Sequence, residues 1–349
     1  MILSAASSVY GAAASWRRRW HARDSRRQRS LAKPVVSVGN LRAGGTGKTP
    51  TVAHLARLLV ACGERPAILT RGYGRRVQTA GVTVVSDGTR VLAALDTAGD
   101  EPLMLASALT GVPVLVGANR YLSGRVAEDR FGSTLHLLDD GFQHLGLARD
   151  VDLLMVSEDD LADRVLPAGY LREPLAAAAA ADALLVTAGY ESAAARVGRA
   201  LGVSTTFLAS RTIGAPRVVP SRESVVVPFG DPVFLVAGIA RPERFFSDIA
   251  AAGWHVAGTL AFRDHHLYSQ RDVAQITERA KSVRSAIVLT TEKDAVRLAA
   301  CDLQGLPIAA VPLELSIEPE ASFRDWLLAR ISAARIHTAS RSQHAEPST

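Results

Sequence analysis

The sequence predicts an α/β protein built as two units, each a largely parallel sheet packed between helices. Three observations support this prediction. Short apolar runs of strand length alternate with segments of helical spacing, a pattern typical of parallel strands joined by crossover helices. A glycine-rich loop follows the first of these runs. A second strand-and-helix passage begins near residue 230.

The length and composition agree with a globular chain of two domains. The protein has 349 residues, of which 48% are hydrophobic and 21% charged, and this ordinary balance excludes a disordered or fibrous chain. The only cysteines are Cys62 and Cys301. Because two cysteines so far apart make neither a disulfide framework nor a zinc site, we expect a reducing compartment.

The positive charge of the chain is concentrated in residues 1–33. The formal net charge is +6, and this arm alone carries eight Lys and Arg residues against one Asp. Its apolar start is too short for the ~20 residues of a spanning helix. The charges follow the apolar run, whereas in a secretory signal they precede it. We therefore predict a membrane-associating arm lying in the interface of an anionic bilayer, with Tyr10, Trp16 and Trp20 at the boundary.

Two other interpretations of the arm stay open. One is a helix that packs on its own domain, and the other is a basic segment that binds nucleic acid.

The larger unit is predicted over residues 34–204. The β-branched run PVVSVGN leads into the glycine-rich loop, and TPTVAHLARLLVACG is then expected to form a helix that ends at Gly63. Further strands are predicted in PAILT, VPVLVG, TLHLLDD, VDLLMVS and ADALLVT. The segment GVTVVSD is either another strand of this series or a hairpin strand.

The smaller unit is predicted over residues 229–305. DPVFLVAGIA is expected to be a strand, PERFFSDIAAAG a helix, and SAIVLTTEKDAVRLAA a strand followed by a helix. TTFLASRTI and LPIAAVPLELSI are predicted to pair as a two-stranded link between the units. The first lies in a linker at 205–228, and the second in a return at 306–335 that includes a C-terminal helix. Residues 336–349 are predicted to be a disordered tail.

The glycine-rich loop VGNLRAGGTGKTPT is predicted to bind the phosphates of a nucleotide. Its glycines let the backbone curl so that amides point at a phosphate, and the following helix adds the positive end of its dipole. Lys48 can bridge the β- and γ-phosphates, and the Thr49 hydroxyl can hold Mg²⁺. The P-loop pattern is incomplete, because Arg42 occupies its first glycine position. The predicted nucleotide contacts are Gly44, Gly45, Thr46, Gly47, Lys48, Thr49 and Pro50.

An acidic pair is predicted to serve the same site. Asp139 and Asp140 follow the strand TLHLL, where carboxylates beside a P-loop can hold Mg²⁺ directly or through water. Aspartates at a strand end are also ordinary turn residues, but a pair followed by Gln143 and His144 favours a function. The residues alone thus indicate a Mg-nucleotide enzyme or switch with two α/β units and a basic apolar arm. A GTPase, an ATPase and a kinase all remain open.

Eight motifs occur in order between about residue 33 and about residue 330: GNLRAGGTGKTP, RGYGRR, GDEP, DDGFQH, LPAGYLREP, GIARPERFF, FRDHH and TTEKDAVRL. Together they resemble the tetraacyldisaccharide 4'-kinase family of the lipid A pathway. DDGFQH, RGYG and TEKDA are specific to that family, whereas GKT alone is not.

The resemblance implies an activity, a fold and a location. The activity is transfer of the γ-phosphate of ATP to the 4'-hydroxyl of a tetraacylated glucosamine disaccharide 1-phosphate, which forms lipid IVA. The fold is a P-loop NTPase-like α/β/α sandwich with a second, smaller α/β/α domain. A two-stranded β link joins the two domains, with ATP in the cleft between them. The location is the cytoplasmic face of the inner membrane, with peripheral or monotopic attachment. We further expect ATP and Mg²⁺ as cofactors, a monomer, and no nucleic-acid partner.

The resemblance also implies roles for residues, motif by motif. Asp100 in GDEP matches the catalytic base, His265 in FRDHH matches its partner from the second domain, and Lys48 matches the phosphate-binding lysine. The implied metal ligands are Thr49, Asp139, Asp140 and Glu101. The implied acceptor contacts are Arg71, Tyr73, Arg120, Gln143 and His144. Arg75 and Arg76, together with Arg120, are candidates to meet the 1-phosphate.

The physical case for Asp100 and His265 starts from the acceptor. A sugar hydroxyl is a poor nucleophile until a base takes its proton, and phosphoryl transfer needs positioning and charge neutralisation. An Asp oriented by a His when the domains close would supply the base and exclude water. Taken singly, Asp100 is more often a helix cap and His265 an ordinary loop histidine. His266 is adjacent, and only the family pattern favours His265.

The expected acceptor also accounts for the arm. Four acyl chains hold such a substrate in the bilayer at ~0.8 kcal/mol per buried CH₂, so the enzyme must come to it. Two other classes stay open: a deviant P-loop ATPase or GTPase acting as a switch or metal-insertion factor, and a nucleic-acid-binding protein that uses the arginine arm. The first needs no RGYG or GDEP motif. The second predicts basic residues beyond the arm, where the chain is nearly neutral.

Overall fold

The computed structural model describes residues 2–44, 47–78, 80–187, 190–228 and 230–343. The helices in these ranges are α1 (Ile2–Ala22), α2 (Lys48–Ala61), α3 (Leu95–Ala98), α4 (Asp100–Ala108), α5 (Arg120–Phe131), α6 (Glu191–Leu201), α7 (Pro242–Ala251), α8 (Gln270–Ser282), α9 (Glu292–Leu298) and α10 (Glu320–Gln343). The strands are β1 (Val35–Asn40), β2 (Pro66–Thr70), β3 (Thr83–Asp87), β4 (Pro113–Val116), β5 (Leu135–Asp139), β6 (Val151–Ser157), β7 (Ala183–Thr187), β8 (Thr206–Ile213), β9 (Arg217–Val218), β10 (Pro232–Ala237), β11 (His255–Ala261), β12 (Ile287–Thr291), β13 (Ile308–Val311) and β14 (Leu313–Glu318).

The larger sheet has nine strands in the order β14-β8-β7-β6-β1-β5-β2-β4-β3. Its inner pairs are parallel, as predicted. At the two edges, β3 runs antiparallel to β4 and β14 runs antiparallel to β8, so the segment GVTVVSD is an antiparallel edge strand. From the central strands β1 and β5 the chain continues in opposite directions along the sheet: β1 connects to β2 on one side, and β5 connects to β6 on the other. Such a switch point opens a crevice at the carboxyl ends of the strands, where ligands bind in open α/β sheets.

The register of β1 and β5 aligns the two loops that bear the predicted phosphate and metal residues. Val38 lies opposite Asp139, so the glycine-rich loop leaves β1 next to the acidic end of β5. The turn after β5 then folds back over β1. A Cβ atom added to Gly39 would lie 2.3 Å from the Cβ of Phe142, so this close approach requires glycine.

Helices cover both faces of the larger sheet. On one face, α2 buries Val52, Leu55 and Leu59 against strand residues such as Val36. The C-terminal helix α10 adds Phe323 to the same core, although it comes from the far end of the chain. A separate core on the opposite face packs α6 against β6 and β7. This arrangement is the predicted α/β/α sandwich.

The smaller sheet has five strands in the order β11-β10-β12-β13-β9. Its strands are parallel except for β9, which runs antiparallel to β13. The chain passes between the sheets after β8 and again at Pro312, between β13 and β14. The predicted two-stranded link is observed as the antiparallel pair β8 and β14. Only the second half of LPIAAVPLELSI belongs to that pair, because β13 is a strand of the smaller sheet.

The C-terminal helix is longer than predicted. α10 continues to Gln343, so residues 336–343 are helical and the predicted disordered tail does not begin at 336. The reason is local, because no glycine or proline occurs between residues 320 and 343 to end the helix. Residues 344–349 of that tail lie outside the described residues. The division into domains at 34–204 and 229–305 stays a prediction.

The arm packs along the larger unit. A Cβ atom added to Gly11 of α1 would lie 3.4 Å from Pro174, and the Ser7 hydroxyl accepts a hydrogen bond from the backbone N–H of Ala168 at 2.9 Å. The side chains of Trp16 and Trp20 remain exposed and stack on each other. One side of α1 therefore contacts the larger unit, while the aromatic side chains Trp16 and Trp20 of the same helix stay accessible. No helix in the described part of the chain is long and apolar enough to cross a membrane.

Candidate active site

The P-loop helix begins at Lys48 because Gly47 takes a left-handed conformation with φ of 92°. The Lys48 ammonium donates a hydrogen bond to Asn40 Oδ1 at 3.0 Å and lies 3.5 Å from Asp140 Oδ1. Burial lowers the pKa of Lys48, although the charge of Asp140 opposes this. The lysine is thus oriented along the loop by the ends of β1 and β5, a position that suits contact with a phosphate.

The next residues of the loop include the predicted metal hydroxyl. Thr49 Oγ1 lies 3.5 Å from Asp139 Oδ2, and both side chains are buried. Pro50 occupies the first turn of α2, where the absent N–H removes no helical hydrogen bond. Gly45 and Thr46, which are predicted to contact the nucleotide, lie outside the described residues.

The two aspartates at the end of β5 stand in different electrostatic surroundings. Burial, together with the charges of Glu101 and Asp140, raises the pKa of Asp139 to about 7. Burial would also raise the pKa of Asp140, but Lys48 and Arg172 outweigh it and hold that pKa below its ordinary value. Asp139 is therefore the carboxylate that would gain most from a cation.

The backbone of Asp140 is strained. Its φ of 55° is in the left-handed region, which residues with side chains rarely adopt. Strain of this kind collects at functional sites, where the surrounding contacts hold it.

Arg172 forms the contacts that fix this strained turn. Its guanidinium pairs with both carboxylate oxygens of Asp140, at 2.9 and 3.2 Å. It also donates to Asn40 Oδ1 at 2.9 Å and to Gln143 Oε1 at 3.3 Å. The planar guanidinium thus connects three polar side chains around the phosphate loop, a task that suits arginine.

Asp100 and His265 meet across the two units. His265 Nδ1 lies 2.9 Å from Asp100 Oδ2, and Asp100 is only 4% exposed. The hydrogen bond with Asp100 raises the pKa of His265. Burial alone would raise the pKa of Asp100, but His265, Lys293 and Arg297 outweigh it and keep that pKa below its ordinary value. The carboxylate is therefore held ionised and oriented.

The neighbouring His266 faces away from this contact. Its ring stacks on Phe262, with the ring centres 4.6 Å apart, and its Nε2 lies 3.2 Å from Asp272 Oδ2. The geometry therefore pairs Asp100 with His265 and not with His266.

Two cations of α9 complete the contact between the units. Lys293 forms an ion pair with Glu101, and Arg297 Nε lies 3.7 Å from Asp100 Oδ2. Burial would lower the pKa of Lys293, but Glu101 and other nearby carboxylates raise it overall. Glu101, an implied metal ligand, is thus engaged by a lysine in this structure.

Several predicted acceptor residues form a basic cluster near the end of β5, and Tyr73 lies beside the dyad. Arg120 is buried at the start of α5, and burial together with the charge of Arg71 lowers its pKa to about 10. Burial and the charge of Arg120 lower the pKa of His144 to about 4, so this imidazole is neutral at pH 7. Tyr73 is 74% exposed, and its ring centre lies 6.0 Å from that of His265. The cluster combines excess positive charge with an exposed aromatic ring.

The remaining predicted acceptor residues differ in their surroundings. Gln143 is turned inward, since its amide nitrogen donates to the Asn40 carbonyl at 2.9 Å. Arg75 has a buried Nη1 without a hydrogen-bond partner among the described residues. Arg76 is exposed and lies 3.9 Å from Asp96. An anionic group would therefore be bound better by Arg75 than by Arg76.

Sequence reasoning assigns no role to Asn40, Arg172, Lys293 or Arg297. All four lie in motifs that it quotes, GNLRAGGTGKTP, LPAGYLREP and TTEKDAVRL. Those motifs were the signal that could have found them. Nothing in their spacing shows which acid each basic group meets.

Comparison with known proteins gives consistent matches. A family model described as tetraacyldisaccharide-1-P 4'-kinase matches residues 1–332. The tetraacyldisaccharide 4'-kinase of Koribacter versatilis is 39% identical over 329 residues, covering 92% of this chain and 96% of that protein. The protein of the same name from Syntrophus aciditrophicus is 36% identical over 345 residues, covering 94% and 92%.

A solved structure is also similar over nearly the whole chain. It is that of LpxK from Aquifex aeolicus, described as an "apo" form in complex with ATP, and it gives a TM-score of 0.77 at 30% identity. The match covers 95% of this chain and 99% of that one. The larger sheet, the smaller sheet and their connection therefore form a known architecture.

Proposed function

The chain belongs to the tetraacyldisaccharide-1-P 4'-kinase family, and we propose that the site described above carries out the phosphoryl transfer of that family. The reaction is ATP-dependent phosphorylation of the 4'-hydroxyl of tetraacyldisaccharide 1-phosphate, which forms lipid IVA in lipid A biosynthesis. The protein is thus a lipid kinase. The observation that carries our assignment of the site is the 2.9 Å contact between Asp100 and His265.

Asp100 is proposed as the general base. The 4'-hydroxyl gives its proton to the Asp100 carboxylate while its oxygen bonds to the γ-phosphorus of ATP. The bond from that phosphorus to the β–γ bridging oxygen breaks, and ADP leaves. His265 donates from Nδ1 to the carboxylate and fixes its orientation. Because the pKa of Asp100 lies below its ordinary value, the base is ionised at neutral pH.

ATP is proposed to bind with its phosphates along the P-loop. The Aquifex aeolicus relative is described in complex with ATP, and the P-loop here leads directly into α2. The N-terminus of that helix and the Lys48 ammonium attract the β- and γ-phosphates. The contact between α9 and Glu101 holds the smaller unit over this site and limits access of water to the reacting phosphate.

Mg²⁺ is proposed to bind between Thr49 and Asp139. A hydroxyl and a buried carboxylate 3.5 Å apart offer the oxygen ligands that Mg²⁺ prefers, and the raised pKa of Asp139 shows that this carboxylate lacks charge compensation. No three His, Cys, Asp or Glu side chains form a metal cage within the described ranges, and Mg²⁺ in kinases takes further ligands from water and phosphate. Asp140 and Glu101 would not bind Mg²⁺ directly but would be outer carboxylates of the metal site, behind Thr49 and Asp139. When bound, Mg²⁺ neutralises charge on the phosphoryl oxygens.

The acceptor is proposed to lie against the basic cluster near the end of β5. Arg71, Arg75 and Arg120 supply charge for a phosphorylated disaccharide, and Tyr73 offers a ring face to a sugar. His144 stays neutral at pH 7, so its ring nitrogens can donate to one hydroxyl and accept from another. Gln143 connects this cluster to the phosphate loop through the Asn40 carbonyl.

The arm is proposed to bring this site to the lipid. The exposed rings of Trp16 and Trp20 and the basic residues around them suit the interface of an anionic bilayer. We place the enzyme on the cytoplasmic face of the inner membrane, where it acts as a monomer. The switch ATPase or GTPase is not favoured, because the match to a kinase family extends over residues 1–332.

A transfer assay tests this function. Purified protein in detergent receives γ-labelled ATP, Mg²⁺ and tetraacyldisaccharide 1-phosphate, and the lipid products are separated. We expect label in a bis-phosphorylated lipid with wild type and with the control Arg279→Ala, an exposed position on α8, and little with Lys48→Ala. A folded wild type that binds ATP but leaves the lipid unlabelled in every detergent would reject the kinase and favour the switch ATPase.

A further inference from the structure

Two arginines of α1 reach into the turn that follows β5. Arg18 forms a two-point ion pair with Glu173, at 2.7 and 3.0 Å, with side-chain exposures of only 13% and 6%. Its guanidinium also donates to the Phe142 carbonyl at 3.1 Å and lies 4.1 Å from the centre of the Phe142 ring. Arg17 donates to the Gln143 carbonyl at 2.7 Å. The contacts of Arg18 are specific and have low exposure, unlike those of a flexible tether, whereas the Arg17 contact is exposed.

The contacts continue from this turn to the phosphate loop. Glu173 directly follows Arg172, which holds both oxygens of Asp140 and donates to Gln143. Gln143 in turn donates to the carbonyl of Asn40, whose side chain holds Lys48. Hydrogen bonds, together with the peptide bond between Arg172 and Glu173, therefore join the arm to the predicted phosphate-binding lysine.

The turn after β5 is tightly packed and has little freedom to move. Phe142 is fully buried, and the backbone of Gly39 lies so close beneath it that the turn has no room to settle toward β1. Loss of Arg18 would leave the Glu173 carboxylate buried without its partner, a change that buried pairs tolerate poorly. Movement of Glu173 would displace the adjacent Arg172, and the carboxylate of Asp140 would lose its fixed position.

We infer that Arg18 is a positioning residue of the active site, and that the seating of α1 on Glu173 and Phe142 fixes the turn that presents Asp139 and Asp140. The arm then has two separable tasks. Its exposed aromatic rings contact lipid, and Arg18 completes the site. This inference rests on the proposed function, and it predicts that transfer depends on Arg18 even where no bilayer has to be bound.

The test compares Arg18→Gln with Arg19→Gln. Arg19 is the matched control, because it is exposed on the same helix and its replacement removes the same charge. Transfer is measured in detergent micelles at saturating ATP and acceptor, and binding is measured separately on vesicles of phosphatidylethanolamine and phosphatidylglycerol. We expect Arg18→Gln to weaken vesicle binding no more than Arg19→Gln does. In micelles we expect a near wild-type kcat for Arg19→Gln and a fall in kcat of about ten- to a hundred-fold for Arg18→Gln. The KM for the lipid should change little.

Further variants distinguish a positioning role of Arg18 from a general loss of folding. Glu173→Gln should lower kcat as Arg18→Gln does, and the double variant should lose no more than the worse single one, because the residues act as one unit. Arg18→Lys keeps the charge but loses the two-point pairing, so its kcat should be intermediate. A wild-type kcat in micelles for Arg18→Gln, or a fall that only parallels lost vesicle binding, would overturn the inference. An inactive wild type would instead reject the proposed function.

Discussion

His265 Nδ1 lies 2.9 Å from Asp100 Oδ2, although the two residues belong to different units of the fold. Asp100 starts α4 in the larger unit, directly after Gly99, whose φ of 85° lets the chain pass close to the Tyr73 carbonyl. His265 follows β11 in the smaller unit and has a left-handed φ of 55°. A strained histidine and a buried carboxylate therefore meet where the two units join.

Replacement of the dyad should lower the rate of the chemical step. For Asp100→Asn we expect kcat to fall about 10²- to 10⁴-fold, because the proton of the acceptor hydroxyl loses its base. For His265→Asn we expect a smaller fall, since the carboxylate remains but is less well oriented. His266→Asn is the matched control, because that ring contacts Asp272 and not Asp100, and its kcat should stay near wild type. Steady-state kinetics in micelles decide this, and equal loss in both histidine variants would contradict it.

The dyad should also give a pH-dependent contribution to stability. The pKa of His265 is raised above its ordinary 6.5 by the hydrogen bond with Asp100, so this contribution is complete below pH 6.5 and is lost as the pH rises through the raised value. At low pH, this contribution is lost as the pH falls below 3.8, the ordinary pKa of Asp100, and through the lowered pKa of Asp100 in the folded protein. The Tm difference between wild type and His265→Asn should thus be largest between these limits. A difference that stays constant from pH 5 to pH 9 would contradict this.

Arg172→Lys should damage the site while the charge is kept. Lysine cannot bridge both oxygens of Asp140 and also reach Asn40 and Gln143, so the turn after β5 loses its fixed geometry. We expect kcat to fall about 10²-fold with a smaller change in the KM for ATP. Arg164→Lys, at an exposed position of the same segment, is the control. A wild-type kcat for Arg172→Lys would show that Asp140 needs no such support.

Asp139→Asn should raise stability and abolish the response to Mg²⁺-ATP. A carboxyl whose pKa rises from 3.8 to about 7 on folding destabilises the fold as the pH rises through that interval, and the amide removes this cost. Its Tm at pH 7.5 should therefore exceed that of wild type by a few degrees. Mg²⁺-ATP should raise the Tm of wild type by mass action, a chelator should reverse the rise, and the variant should show neither effect. A variant still stabilised by Mg²⁺-ATP would exclude Asp139 as a ligand.

Arg297→Lys should act through the loop that carries His265. Arg297 donates to the carbonyls of Gly238 and His266 at 3.0 and 3.1 Å, and it lies 3.2 Å from Asp294. Lysine reaches fewer of these groups, so buried carbonyls would lose partners at about 1–3 kcal/mol. We expect a lower midpoint of urea unfolding and a lower kcat. Arg279→Lys, on the neighbouring helix α8, should change neither, and an unchanged kcat for Arg297→Lys would contradict a role in placing His265.

Much of the fold could be predicted because its signals are local. Alternating strands and helices predict the parallel sheet, and the glycine-rich loop before a helix predicts where phosphate binds. Boundaries set by tertiary pairing were less predictable. The return segment LPIAAVPLELSI divides at Pro312 between two sheets, which does not follow from apolar spacing.

The site was predicted from motifs more than from physics. Asp100 and His265 are 165 positions apart, and only the family pattern pairs them before the fold is known. Their catalytic role stays a prediction. Arg172, Lys293 and Arg18 were not predicted, because a basic residue in a sequence does not show which distant acid it meets. The arm illustrates this, since its composition predicts lipid contact but not the pairing of Arg18 with Glu173.

A single-turnover experiment tests the central claim most directly. Enzyme in excess over γ-labelled ATP is mixed with tetraacyldisaccharide 1-phosphate in micelles and quenched at successive times, with Asp100→Asn examined beside wild type. We predict rapid appearance of label at the 4'-position for wild type, and a variant that binds ATP with similar affinity but transfers label at least about 10²-fold more slowly. Equal rates for the two proteins would contradict the claim that Asp100 takes the proton of the acceptor.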